Sequence, residues 1–163
     1  MSLNRAARKN PEFWGRAAAG IFFTCTKDNT AFLMHRSEFV QEPSTWGIPG
    51  GSVSGEALYD SEIGTERPTD KVFWEGAQQE VIEECGGLPK GITLIGSIDF
   101  VEGSFVYRNF VCDISKRSKA RWTKSIRLNW ENDAYGWFNL DDLEADLPYD
   151  ELHFGVKNLL EEL

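Results

Sequence analysis

Residues 69 to 85, TDKVFWEGAQQEVIEEC, constrain the fold more than any other part of this chain. Pro68, Thr69 and Asp70 supply a helix start and Gly86-Gly87 a stop, so one long helix sits mid-sequence, with Gly76 its single weak position. Trp74, Val81 and Cys85 gather on one side of it, an apolar stripe that must be buried against something. The surrounding segments are strand-like. Residues 17 to 26 and 30 to 36 are rich in β-branched and aromatic types and are separated by the turn signal Asp28-Asn29, which predicts a hairpin.

Further strands are expected around ITLIGSIDF, SFVYRNFVCDI and AYGWFNL. Leu152, Val156, Leu159 and Leu160 fall on one stripe of a closing amphipathic helix over 152–162. Several strands with two helices imply an α+β fold with a mixed sheet. The 163 residues fit a single domain over 1–163. Residues 57–68, ALYDSEIGTERP, show no clear periodicity and read as an inserted loop, because neither flanking piece is large enough to stand alone.

Three scattered cysteines, Cys25, Cys85 and Cys112, include no CxxC pair and read as reduced structural thiols of a cytoplasmic protein. Basic residues precede the first apolar run in the manner of a secretory signal. Arg16 abuts that run, however, and a turn and second strand follow it, so a buried first strand is the expected outcome. No apolar stretch approaches the roughly 20 residues of a bilayer span. The net charge of −9 disfavours nucleic acid and anionic membranes as partners. One segment opposes that sign: Lys116, Arg117, Lys119, Arg121, Lys124 and Arg127 lie among residues 116–127. It reads either as a solvated loop or edge strand or as a basic rim steering a phosphorylated ligand, with RNA as a variant.

Within the central helix, Glu80, Glu83 and Glu84 span an arc of roughly 100° on one face. Gly76 and Ala77 are expected one turn earlier on that face, leaving space above the carboxylates. Crowded carboxylates repel and raise one another's pKa unless a cation offsets them, and hard oxygen ligands suit Mg²⁺ or Mn²⁺. The helix alone leaves a second reading open, an acidic last turn facing water.

The stretch WGIPGGSVSGE followed by QEVIEECGG resembles the signature of the Nudix hydrolase superfamily, GxxxxxE, seven residues, then REUxEExGU, where U is bulky and aliphatic. Gly50 and Glu56 match the first part; Glu80, Val81, Glu83, Glu84 and Gly86 match the second. PGG ahead of the box and Trp137-Phe138 before the closing helix extend the resemblance over residues 13 to 163. It implies an α/β/α sandwich that hydrolyses a pyrophosphate bond in a nucleoside diphosphate derivative. It also implies Glu80, Glu83 and Glu84 as ligands of Mg²⁺, with Mn²⁺ as the alternative, and a small nucleotide as substrate. Glu131, six residues before Trp137, matches the further glutamate that serves the family as ligand or general base, with Glu102 in reserve. Gly50 and Gly51 would let backbone approach the phosphates. Arg36 and Arg108 would bind terminal phosphates, and Phe105, Tyr107 or Trp122 would stack a base.

Two departures bear on catalysis. Between Glu56 and Gln79 lie 22 residues where the family has seven, an insertion of 15. The family's arginine, which holds a catalytic glutamate by a charged hydrogen bond, is Gln79, which donates without charge, so orientation should be weaker unless Arg67 from the insertion takes over. Gly87 replaces the last aliphatic position and touches no ligand. The alternatives to a pyrophosphohydrolase are a non-hydrolysing nucleotide sensor and an RNA 5′-end pyrophosphohydrolase.

Overall fold

Strand β1 (Ala17–Cys25) is buried at every residue, so both faces of the sheet around it must be covered. The computed structural model describes residues 17–40, 43–143, 152 and 154–162; the basic N-terminal stretch lies outside them. β1 pairs antiparallel with β2 (Thr30–Arg36) and parallel with β8 (Phe105–Asp113), in register from Ala17 opposite Val106 to Thr24 opposite Asp113. Two short strands, β3 (Trp46–Gly47) and β4 (Gly50–Ser52), pair with β2 and β1. β7 (Thr93–Glu102) pairs with β8, and β9 (Asn132–Asn139) with β2. The result is a seven-stranded mixed sheet along the path β3-β2-β1-β8-β7, with β4 and β9 attached to β1 and β2.

Alternation along β1 and β2 divides the core into two layers. Ala17, Ala19, Ile21, Phe23, Phe32 and Met34 face one side, where helix α1 (Asp70–Cys85) packs with Phe73, Ala77, Val81 and Cys85. Phe22, Ala31 and Leu33 face the other, covered by Val156 and Leu159 of helix α3 (Phe154–Glu162). This is the α/β/α sandwich. Cys25, Cys85 and Cys112 are free and buried. No helix among the described residues is long and apolar enough to cross a membrane.

The start and stop signals of α1 work as their chemistry requires. The Thr69 hydroxyl accepts from the Val72 N–H at 3.3 Å, and Gly86, at φ 88°, donates its N–H to the Ile82 carbonyl. That left-handed turn favours glycine over residues with a side chain.

Three local expectations change. Residues 57–68 form a hairpin rather than a loop, β5 (Ala57–Asp60) against β6 (Thr65–Pro68), closed at its neck by the Thr69 N–H donating to the Glu56 carbonyl at 3.0 Å. Its mixed sequence hides a strand pair because alternate residues bury little: Leu58 and Tyr59 stay exposed, while Ile63 reaches the core. The basic segment contains helix α2 (Lys116–Ser125), not an edge strand. Ser115 caps it by accepting from Ser118, long unbranched Lys and Arg favour helix, and Trp122 packs on Phe23 and Phe32. Ala77 is fully buried on the sheet side, so Gly76 alone opens the glutamate face.

A methyl group on Gly76 would overlap Val53, which explains the weak position inside α1. Helix propensity predicts that Gly76→Ala stabilises by about 1 kcal/mol. The overlap reverses that sign, to a loss of about 1–3 kcal/mol. Urea unfolding should show the loss; a more stable Gly76→Ala variant would contradict the packing.

Candidate functional site

The Pro49-Gly50-Gly51 turn brings bare backbone onto two glutamates of α1. The Gly50 N–H donates to Glu84 Oε2 at 2.9 Å, and Asn132 Nδ2 donates to Glu84 Oε1 at 3.0 Å. A Cβ on Gly50 would lie 2.6 Å from the Tyr107 hydroxyl and 2.7 Å from the Ala19 carbonyl. One on Gly51 would sit 2.7 Å from the Glu80 carboxylate. Both glycines are therefore set by close approach, one towards β1 and β8 and the other towards α1.

The three helix glutamates occupy different environments. Glu84 is 3 % exposed, Glu80 half-buried and Glu83 exposed. Burial, reinforced by the nearby Glu131 and Glu80 carboxylates, pushes Glu84 up to about 8 against its two hydrogen bonds. Burial, with Glu83 and Glu131 adding repulsion, pushes Glu80 up to about 7. Glu131 therefore belongs to this cluster although it lies far along the chain. Asn129 Nδ2 donates to its carboxylate at 3.2 Å, and its carbonyl accepts from the Ser37 N–H at 2.9 Å. Gln79 Nε2 donates to Glu83 Oε1 at 3.3 Å, an uncharged contact at the surface of the helix.

An open cleft of about 480 Å³ runs along α1, lined by Ser52, Ser54, Gly76, Gln79, Glu80 and Glu83 among others. Glu84 does not line it. Among the described residues no three acidic, histidine or cysteine side chains are grouped closely enough to hold a metal ion as they stand. The donor set nonetheless suits a hard divalent cation. Glu80 and Glu83 open onto one cleft, and Glu80 and Glu84 carry raised pKa values from crowded, desolvated carboxylates.

Other residues singled out in the sequence are placed as follows. Arg67 faces Asp60 at 3.0 Å and Asp99 at 3.6 Å, so it anchors the hairpin and does not replace the box arginine. Arg108 donates to Asp99 and Asp70 and lies over the Phe73 ring at 4.4 Å. It would have to leave both carboxylates to meet a phosphate. Arg36, half-buried at the end of β2, favours ionisation of the largely buried Tyr107, whose phenol burial and Glu84 push up. Tyr107 packs against Gly20 and Gly50, and Trp122 lies among Phe23, Phe32 and Trp137, so both rings serve the core rather than a base. Phe105 is half-buried, and Glu102 is exposed at the end of β7. Asn132 escaped the sequence reading. Its only signal was adjacency to Glu131, and an asparagine at a strand start ordinarily reads as turn chemistry.

No family model matches the sequence, and no curated protein matches it. Solved structures do. The M. smegmatis Nudix hydrolase RenU superposes with a TM-score of 0.62 at 21 % identity, covering 92 % of this chain and 84 % of that one. A C. elegans Ap4A hydrolase in a binary complex gives 0.57 at 18 %, covering 89 % and 93 %. The NUDIX domain of Shewanella oneidensis NrtR complexed with ADP ribose gives 0.53 at 15 %, covering 99 % and 96 %. The chain has the Nudix fold.

Raised carboxylate pKa values make the metal-free protein pH-sensitive. Glu80 and Glu84 start from 4.5 when unfolded and titrate near 7 and 8 when folded, so the native state retains protons that the unfolded chain releases. Stability is then fullest below about pH 4.5 as far as these two groups are concerned, and falls as pH rises to about 8. Denaturant midpoints of metal-free protein should decline across that window. In Glu84→Gln, where Asn132 can turn its amide to match, the upper part of the decline should vanish. A slope unchanged by that substitution would contradict the assignment.

Proposed function

We propose that this protein hydrolyses a pyrophosphate bond in a nucleoside diphosphate derivative by attack of water on phosphorus, using a divalent cation. The observation that carries the reading is the convergence of Glu80, Glu84 and Glu131 beside the bare backbone of Gly50 and Gly51, within a Nudix fold. Glu80, Glu83 and Glu84 would hold the cation, Mg²⁺ in first place and Mn²⁺ as the alternative. When bound, it supplies the positive charge that offsets phosphate oxygens and activates water.

The chain's own groups divide the remaining work. Glu83, Glu84 or Glu131 takes the proton of the attacking water. Glu131 is suited to that role because three hydrogen bonds hold its residue beside Glu80 and Glu84. Backbone at Gly50 and Gly51 lies where side chains are excluded, which favours close approach of a phosphate. Arg36 is the arginine we assign to a terminal phosphate, with Arg108 a second that must first release its carboxylates. The substrate class, a small nucleotide, nucleotide sugar or dinucleotide, accords with neighbours crystallised as an Ap4A hydrolase and with ADP ribose. A cytoplasmic, single-domain protein accords with three reduced, buried thiols.

A second reading, a nucleotide sensor that does not hydrolyse its ligand, is favoured by Gln79, whose uncharged contact orients Glu83 only weakly. Purified protein incubated with nucleoside di- and triphosphates, nucleotide sugars, ADP-ribose and dinucleoside polyphosphates decides between them. Turnover should require Mg²⁺ and fall by about 10²–10⁴-fold in Glu83→Gln or Glu84→Gln, the range for losing a catalytic carboxylate. Gln79→Arg should raise it. Hydrolysis of no substrate, with intact ligand bound in a calorimeter, would establish the sensor.

Cation binding has a readout independent of turnover. Mg²⁺ favours ionised carboxylates, so it should raise the melting temperature more at pH 8 than at pH 6, and this difference should shrink in Glu80→Gln. An equal rise at both pH values would place the ion elsewhere.

A further inference from the structure

The six basic residues of segment 116–127 are not used by the site above, and α2 gives five of them, all but Arg127, a definite arrangement. Lys90, Arg117 and Arg121 line a cleft of about 320 Å³ between α2 and the 88–91 turn. This cleft shares no lining residue with the carboxylate cleft. Leu88 and Pro89 form an apolar wall, and the buried Trp122 forms part of the floor.

Two hydrogen bonds hold the walls together. Trp122 Nε1 donates to the Gly87 carbonyl at 2.9 Å, and Ser118 Oγ donates to the Lys90 carbonyl at 2.6 Å. The cleft is therefore a built feature, with backbone of the turn tied to side chains of the helix.

Its charge is uncompensated. Lys119, on the same helix, is bound to Asp28 at 2.7 Å, whereas Lys90, Arg117 and Arg121 make no ion pair among the described residues. The first turn of α2 contains no acidic residue and carries Lys116 and Arg117, where the helix dipole disfavours cations. In a chain of net charge −9, three exposed cations without ion-pair partners among the described residues gather around one cleft and attract anions to it. Guanidinium forks match phosphate oxygens in pairs, and the volume is at the small end of ligand pockets.

We propose that this cleft is a second ligand site, separate from the hydrolytic one, which takes a small organic phosphate. The phosphate sits on Lys90, Arg117 and Arg121, and the apolar body of the ligand lies against Leu88 and Pro89. Inorganic phosphates share the first contact but not the second.

Calorimetry on the metal-stripped full chain isolates this site, because Glu75, Glu80 and Glu83 repel polyanions from the other cleft when no cation is present. ADP should bind at one site and several-fold more tightly than inorganic pyrophosphate, reflecting the apolar wall. Arg117→Glu combined with Arg121→Glu should weaken ADP by about tenfold or more. Arg121→Gln, which keeps a good helix former, should weaken it less, with an unchanged circular dichroism spectrum. Lys124→Glu, on the same helix but outside the cleft, should change affinity less than about twofold, since exposed charges are screened. Absence of binding, retention of affinity in the double variant, or an equal loss in Lys124→Glu overturns the site. So does 5′-phosphorylated RNA whose affinity exceeds that of ADP, grows with length and collapses with salt, because α2 would then be a nucleic-acid surface.

Discussion

The buried carboxylate of Glu84 is the constraint on which the rest of the site depends. A carboxyl group at 3 % exposure needs partners on both oxygens, and here they come from the Gly50 N–H and the Asn132 amide. That requirement places β4 against α1 on one side and the start of β9 on the other. Gly50 must also fit between Glu84 and the Tyr107 phenol, so β8 enters the same packing unit. One glycine, one helix and three strands are held in register around one side chain. The remaining energetic cost is visible in its pKa, which burial and neighbouring carboxylates raise despite two hydrogen bonds.

The sheet makes such a point possible. β1 lies between an antiparallel and a parallel neighbour, and the parallel pairing with β8 obliges the chain to cross over between them. α1 occupies that crossover, docked through Phe73, Ala77, Val81 and Cys85 on the alternate residues of β1. With this face fixed, the position of Glu84 follows from its immediate neighbour Cys85 and from Val81, three residues back on the same face. Glu83, one residue away, faces solvent. Helix geometry thus separates the three glutamates into buried, half-buried and exposed groups, although their sequence spacing places them within one arc.

The hairpin over residues 57–68 leaves this arrangement intact because it returns to its starting point. The Glu56 carbonyl receives the Thr69 N–H, so the hairpin closes where it opens and the helix start follows at once. Arg67, Asp99, Arg108, Asp70 and Asp60 tie it to β7, β8 and the first turn of α1. Arg108 is 13 % exposed at its side chain, which lends these contacts more weight than surface ion pairs usually carry, although Asp70 on its far side is open to water. An arginine that looked available for the box turns out to be a fastening of the hairpin.

The sequence by itself determined those features that depend on neighbours along the chain. The helix over 70–85 was legible from Pro68, Thr69 and Gly86, since caps act within one turn, and the strands before it were legible from their β-branched and aromatic runs. The spacing of Gly50, Glu56 and the helix glutamates was enough to suggest the fold and its chemistry. Tertiary structure alone decided which glutamate is buried, because the contacts that bury Glu84 span 34 and 48 residues. It also decided that Arg67 serves the hairpin and that the basic segment is a helix anchored by Trp122. Charge patterns fix solubility and sign at the surface, but they leave open which charges meet; that choice is made when sheet and helices bring distant residues within hydrogen-bond reach.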